Sequence, residues 1–305
     1  MKLVPPLSLP SDYQARFLKY LDSGEFADVE FLVFPEQFPA TRTFKAHKQF
    51  LAMVNEVFAT MFFGSLPEND QVIVTDIHPD GFACMLRYFY GGKPRFRGIE
   101  DAMYTRTAAV KYMATDLLRI CSEYIVSHIS ARNVCRLIDY ASISDGGLID
   151  DAALSVLRHD GVSVVCSDGF IDALDGTVEY VLKNVRNVPE TCVVHSLHEW
   201  ARAKVIRSLT VEAKEGDIVP PLDIKTVMTP FMPLLRFLVL TPQEFIVGPS
   251  SWRIFDGRDD FAILCNIVCF GSVPLPSWTC TLRHVSSQLQ ELLLLAFLPL
   301  PSFLL

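Results

Sequence analysis

Short apolar stretches of strand-like periodicity punctuate the first third of the chain. Residues 28–34 alternate between apolar and polar side chains and then become continuously apolar, which predicts a strand that enters a core. Shorter strands are predicted around residues 43–45 and over residues 71–75. This part of the chain is therefore expected to contain a small sheet.

Helical periodicity fills the spaces between these strands. Over residues 47–63 the apolar side chains recur at spacings of three and four, which predicts a helical hairpin. Pro79 marks the first turn of a further helix, because proline lacks the N–H that would be unpaired there, and Gly91 ends it. Two more helical segments are predicted, over residues 101–114 and 116–128.

The second half has the apolar pattern of packed helices throughout. Ser167 is a predicted helix N-cap, and Pro189 with Glu190 opens a longer helix that has a broad apolar stripe. The residues that define the helical faces are Val134, Leu137, Ile138, Ala141, Ala153, Val156, Leu157, Val193, Val194, Leu197, Trp200, Ala201 and Val205. A loop is expected over residues 216–221, followed by helix-like apolar residues over 222–240.

Regular periodicity is lost beyond Pro242, where Pro, Gly and Ser accumulate. The last stretch, residues 292–305, is very apolar, but it is shorter than the roughly 20 residues that a membrane span needs. Pro299 and Pro301 also interrupt it. No membrane association is predicted.

The composition is that of a folded, acidic protein. Of 305 residues, 50% are hydrophobic and 20% are charged, which suits two domains with sizeable cores. The net charge of −8 opposes binding to the phosphate backbone, so no nucleic-acid partner is predicted. The first ten residues lack the continuous apolar segment of a signal peptide.

Eight cysteines are scattered singly rather than at the dense spacings of disulfide scaffolds. Most are expected to be reduced thiols in the core, where cysteine behaves as a small hydrophobe. This usage favours a cytoplasmic location, with the nucleus as a second possibility.

The first half resembles the BTB/POZ family over residues 11–129. Five ordered segments carry the resemblance: DVEFLV at 28–33, FKAHKQFLA at 44–52, VFATMF at 57–62, DIHPDGFACMLRYFYG at 76–91 and AAVKYMATDL at 108–117. Asn55 departs from the family pattern, in which many members have Ser, but both residues are good helix caps. The resemblance implies an α+β BTB/POZ domain.

Residues 130–245 resemble the BACK domain, an all-α helical domain that follows the BTB/POZ domain in BTB-BACK proteins. The matching positions are Asn133, Val134, Leu137, Ala141, Phe170 and the segment 193–201. Such proteins normally continue into a recognition domain such as kelch repeats. Residues 246–305 are too few for one and are expected to form an irregular apolar tail.

The resemblance implies a homodimer formed through the N-terminal helix. The matching segment offers Phe17, Leu18 and Leu21, whose spacings of one, three and four give an apolar surface. The alternative is that these side chains close the core of their own subunit.

The resemblance also implies binding to a cullin-3 scaffold through a hydrophobic-x-Glu motif in the loop after the helical hairpin. Leu66 and Glu68 occupy that place, and Met61 and Phe62 of the hairpin are predicted to contribute. A plain solvent-exposed loop, with Met61 and Phe62 in the core, is the competing interpretation.

No catalytic, cofactor or metal site is predicted. His47 is interpreted as a structural residue that ties the backbone of a turn. The pairs His195/His198 and Cys265/Cys269 have helical spacings, but neither has two further ligands at zinc-site spacing. Phosphate-loop, dinucleotide-binding, nucleophile-elbow and zinc-protease motifs are absent from the sequence.

The resemblance as a whole implies a non-enzymatic adaptor that recruits an unidentified protein substrate to a cullin-3 RING E3 ubiquitin ligase. The alternative is a BTB scaffold or a transcriptional or cytoskeletal regulator that dimerises without any ligase.

Overall fold

The structure is a computed structural model that describes residues 11–35, 41–144, 149–215 and 223–281. The chain folds as two compact units, the first made mainly of residues up to Ile129 and the second mainly of residues from Ser130 onwards. The predicted loop at 216–221 and the leucine-rich end at 292–305 lie outside the described residues.

A three-stranded sheet organises the first unit. Strand β1 (Val29–Val33) lies at the centre, antiparallel to β2 (Arg42–Ala46) and parallel to β3 (Gln71–Val74). Alternate residues of β1 are buried, as the sequence pattern predicts, and Phe31 and Val33 have no exposed surface. All three predicted strands are confirmed.

The described residues of the first unit form six helices around this sheet: α1 (Ser11–Ser23), α2 (Lys48–Val54), α3 (Glu56–Phe63), α4 (Pro79–Phe89), α5 (Ile99–Lys111) and α6 (Thr115–His128). The predicted hairpin is the pair α2 and α3, which Asn55 separates. Pro79 occupies the first turn of α4, as predicted. The core is rich in aromatic rings, including Phe31, Phe58, Phe82 and Tyr112.

Gly81 shows how tightly two of these helices approach. A β-carbon at this position of α4 would lie 2.2 Å from the carbonyl oxygen of Tyr104 in α5. Only glycine fits at this crossing, because any larger side chain would push the helices apart.

The described part of the second unit is built from helices: α7 (Val134–Ser144), α8 (Ile149–His159), α9 (Gly161–Val165), α10 (Asp168–Ile171), α11 (Asp175–Asn184), α12 (Glu190–Glu215), α13 (Ile224–Met228), α14 (Pro242–Phe245) and α15 (Gly257–Val268). The Ser167 hydroxyl accepts a hydrogen bond from the Phe170 amide at 3.2 Å, which confirms the predicted cap of α10. Fully buried Trp200 of α12 donates its indole N–H to the Ala173 carbonyl at 2.9 Å.

Two predictions for the second unit need correction. The helix-like segment 222–240 is α-helical only in α13 and continues as 3₁₀ turns at Thr229–Leu234 and Phe237–Val239. Pro230 and Pro233 explain this change, since each lacks the amide hydrogen that an α-helix would use. The irregular structure expected after residue 245 is also wrong where α15 forms, with Ala262 and Ile263 buried.

Candidate protein-interaction surfaces

The predicted dimer residues of α1 lie half-buried against their own unit. Phe17, Leu18 and Leu21 all pack on the core of the first unit. The Phe17 ring lies 4.9 Å from the Phe50 ring of α2, measured between centroids. Within the single chain these residues therefore close their own core, and a role in dimerisation would use the surface they retain.

The end of α2 presents apolar surface that the sequence pattern singled out only in part. Met53 is 77% exposed and Val54 is 44% exposed. Val54 belongs to the apolar stripe that predicted the hairpin, whereas Met53 falls outside that stripe. An apolar residue out of phase with the buried face is the signal that would have found it.

The loop after the hairpin holds Leu66 out in solvent. Gly64 ends α3, where a β-carbon would lie 2.3 Å from the Thr60 carbonyl oxygen. The Glu68 amide then donates to the Met61 carbonyl at 2.8 Å, which folds the loop back on the helix. Leu66 is 90% exposed and Glu68 is exposed, so both predicted scaffold-binding side chains are accessible.

The two hairpin residues assigned to the same site are less accessible than Leu66 and Glu68. Phe62 is only 5% exposed, and its ring lies 5.9 Å from that of Phe58 in the core. Met61 is half-buried on the same core. The burial of Phe62 favours the competing interpretation, in which its ring packs in the core, and the neighbouring Phe63, 63% exposed, offers an accessible ring.

His47 joins three parts of the first unit through hydrogen bonds. Its Nε2 lies 2.8 Å from the Glu25 carbonyl, and its Nδ1 lies 2.7 Å from the Tyr90 hydroxyl. The backbone amide of His47 also donates to that hydroxyl at 3.0 Å. This set is fully satisfied when Nε2 carries the proton and Tyr90 donates to Nδ1. The structural role predicted for His47 is confirmed.

The other candidate ligands have packing roles. His198 stacks on Trp252 with 3.9 Å between ring centroids, and His195 meets the same indole edge-on at 5.1 Å. In the ranges that the structure describes, no three His, Cys, Asp or Glu side chains converge as a metal site would require. All eight cysteines are free thiols, but only Cys121 and Cys135 are buried, fewer than expected.

The fold and the sequence converge on one class. Residues 17–129 match the family model of the BTB/POZ domain. The chain therefore carries a BTB/POZ domain, a class of module that mediates protein–protein interactions and is generally non-catalytic. Within the described ranges, no helix is both long and apolar enough to cross a membrane.

Curated relatives extend the similarity beyond this domain. The chain is 27% identical to human BTB/POZ domain-containing protein 6 over 239 residues, which cover 78% of the chain and 43% of that protein. It is 27% identical over 244 residues to BTB/POZ domain-containing protein 6-A of Danio rerio, covering 79% and 43%. Human BTB/POZ domain-containing protein 3 is 29% identical over 193 residues, covering 62% and 36%. The chain thus spans about two fifths of the length of these relatives.

Proposed function

We propose that this protein is a dimeric adaptor that recruits a protein substrate to a cullin-3 RING E3 ubiquitin ligase. The observation that carries the proposal is the 90% exposure of Leu66 in the loop after α3. A large apolar side chain held in solvent by a tethered loop is suited to fill a pocket on a partner protein.

The neighbouring side chains suit a mixed apolar and polar contact. Phe63, 63% exposed, lies three residues before Leu66, and Glu68 lies two residues after it. An apolar anchor flanked by a carboxylate resembles the centre and rim of a protein interface. The buried ring of Phe62 supports this surface from below by fixing α3 on the core.

Dimerisation is assigned to the first unit, through the exposed remainder of α1 and the end of α2. Tyr13, one helical turn before Phe17, is 49% exposed, and Met53 and Val54 add apolar surface at the end of α2. An isologous contact that uses such a surface would bury it on both subunits at once. The second unit, interpreted as a BACK domain over residues 130–245, would hold the substrate away from the scaffold.

Binding of purified cullin-3 to the full chain tests the ligase proposal. Leu66→Ala should weaken binding by about 2 kcal/mol, or about 30-fold in Kd, as truncation of a central anchor does. Calorimetric titration measures this change. Glu68→Gln, which removes only the charge, should produce a smaller loss.

Leu209→Ala is the matched control, because Leu209 is 48% exposed in α12 and carries the same side chain as Leu66. It should bind cullin-3 like the parent chain. Absence of cullin-3 binding by a folded dimer would favour the alternative of a BTB scaffold that acts without a ligase. A monomer at micromolar concentration in sedimentation analysis would contradict the dimer.

A further inference from the structure

A cleft with an unusual concentration of cations lies in the first unit. Its volume is about 700 Å³, and its walls come from α1, β2, α4, α5 and the segment between α4 and α5. The positively charged side chains that line it are Arg42, Arg87, Lys93, Arg95 and Arg97. Asp80 and Asp101 also line the cleft. Such a concentration is unexpected in a chain whose net charge is −8.

In the segment between α4 and α5, exposed cationic residues alternate with half-buried residues. Lys93, Arg95 and Arg97 are all exposed, whereas the intervening Pro94 and Phe96 are half-buried. The Phe96 ring packs on Tyr124 of α6 at 4.9 Å, which holds the opposite side of the segment on the domain. Alternation along an extended segment therefore places three cations on one side, facing the cleft.

Three of the five cations are already paired. Arg97 donates to Asp101 at 2.7 Å and to Asp80 at 3.1 Å, and Arg42 donates to Asp80 at 2.8 Å. Arg87 pairs with Asp22. These contacts offset part of the positive charge that the three guanidinium groups bring to the cleft.

Lys93 and Arg95 differ from the other three, since neither forms an ion pair with any residue in the described ranges. The positive charge of the cleft is thus only partly neutralised, and both unpaired cations are exposed.

We propose that this cleft binds an acidic peptide segment of a recruited protein, with Lys93 and Arg95 as the specificity-determining contacts. The inference rests on the proposed adaptor function and names the chemistry of its substrate. A peptide with spaced carboxylates can place them on the two unpaired cations while its backbone amides face Asp80 and Asp101. A nucleic acid fits less well, because its continuous phosphates would meet those two carboxylates and the acidic chain as a whole.

Fluorescence anisotropy of the full chain tests this inference. The probe is a short fluorescein-labelled peptide that alternates Glu and Ser, and the reference probe has Gln in place of Glu. The Glu probe should bind, its affinity should fall as salt is added, and the Gln probe should not bind. The double variant Lys93→Gln/Arg95→Gln should weaken binding about tenfold, as the loss of two exposed charge contacts implies.

The double variant Arg158→Gln/Arg258→Gln is the matched control. It removes the same charge from exposed positions of the second unit and should retain binding. Equal losses in both variants, binding of the Gln probe, or no binding of the Glu probe would overturn the proposal. Tighter binding of a single-stranded oligonucleotide of equal charge would overturn it in favour of a general polyanion site.

The peptide-binding test and the cullin-3-binding test can fail independently, because Lys93 and Arg95 lie outside the Leu66 loop. The Lys93→Gln/Arg95→Gln variant should capture cullin-3 as the parent chain does. A variant that loses both cullin-3 binding and peptide binding would show that Lys93 and Arg95 support the domain as a whole. That result would overturn their assignment as discrete contacts for an acidic peptide.

Discussion

Asn55 fastens the helical hairpin of the first unit to Tyr112 at the end of α5. Its Nδ2 donates to the Tyr112 carbonyl at 2.7 Å, while its Oδ1 accepts from the amides of Val57 and Phe58 at 3.0 and 3.2 Å. One side chain therefore caps α3 and also joins it to a helix more than fifty positions away in sequence. A serine at this position would supply the cap, but its hydroxyl lies one bond closer to the backbone than the Asn55 Nδ2 and would fall short of the Tyr112 carbonyl.

Replacement of Asn55 should separate these two roles. Asn55→Ser should lower the free energy of unfolding by about 1 kcal/mol through loss of the Tyr112 contact, and Asn55→Ala by about 2 kcal/mol because the cap is lost too. Urea unfolding followed by far-ultraviolet circular dichroism measures both. Equal stability of the Ser variant and the parent would contradict the importance of the contact.

The buried hydroxyl of Tyr112 predicts an unusual stabilising substitution. The ring stacks on Phe58 at 4.6 Å, but the hydroxyl finds no hydrogen-bond partner within the described ranges. Tyr112→Phe keeps the ring and removes the unpaired polar group, so it should raise the free energy of unfolding by about 1 kcal/mol. A lower urea midpoint would indicate that the hydroxyl has a partner after all.

The Tyr90 hydroxyl should make the first unit less stable at alkaline pH. Burial raises the pKa of Tyr90 to about 12, above the value of about 10 that the unfolded chain has. Its contribution is fully present below about pH 10 and is lost as the pH rises towards 12. Unfolding free energies across this interval should decline, and less steeply in Tyr90→Phe. An identical slope in the variant would exclude Tyr90 as a cause.

An ion pair with one buried partner should contribute to the stability of the second unit. Glu190 is 7% exposed and accepts from the Arg236 amide and from its Nε, each at 2.7 Å. Glu190→Gln should cost about 2 kcal/mol, because it leaves the half-buried guanidinium of Arg236 without its countercharge. All three tryptophans, at 200, 252 and 278, lie in this unit, so their fluorescence reports its unfolding.

Glu199→Gln is the control variant for this prediction. Glu199 forms an exposed pair with Arg202, so the substitution should cost under about 1 kcal/mol.

Alkylation should rank the cysteines by environment. Burial raises the pKa of Cys121 and of Cys135 to about 12, whereas Cys166 and Cys269 are exposed. Iodoacetamide at about pH 8 should therefore label the exposed pair first, since the thiolate is the reactive form. Peptide mass spectrometry after timed quenching reads the order. Early labelling of Cys121 or Cys135 would contradict their burial.

Local periodicity accounts for what the sequence predicted well. Strand β1 and the hairpin of α2 and α3 each bury one side, so the spacing of apolar residues reports them directly. The role of His47 was also predictable from its position at a junction between strand and helix. Segment 222–240 was not, because two prolines override an apolar pattern that otherwise suits a helix.

Features that arise only when residues distant in sequence pack together could not be predicted from the sequence. Phe62 and Phe63 are adjacent residues of the same type, and only the packing of α3 decides that Phe62 is buried and Phe63 is exposed. The alternating cations at 93, 95 and 97 are visible in the sequence, but Arg42 and Arg87 join them only through the fold. The half-buried placement of Leu18 and Leu21 likewise depends on how α1 lies against its own domain.

The central position of β1 also has a consequence for synthesis. Of the three strands, β1 leaves the ribosome first, and its antiparallel neighbour β2 follows soon afterwards. Its parallel neighbour β3 is synthesised only some forty residues after β1. During that interval one edge of an apolar strand stays open to strands of other nascent chains. Translation that stalls between these strands should yield fragments that aggregate or engage chaperones, whereas a pause after β3 should not.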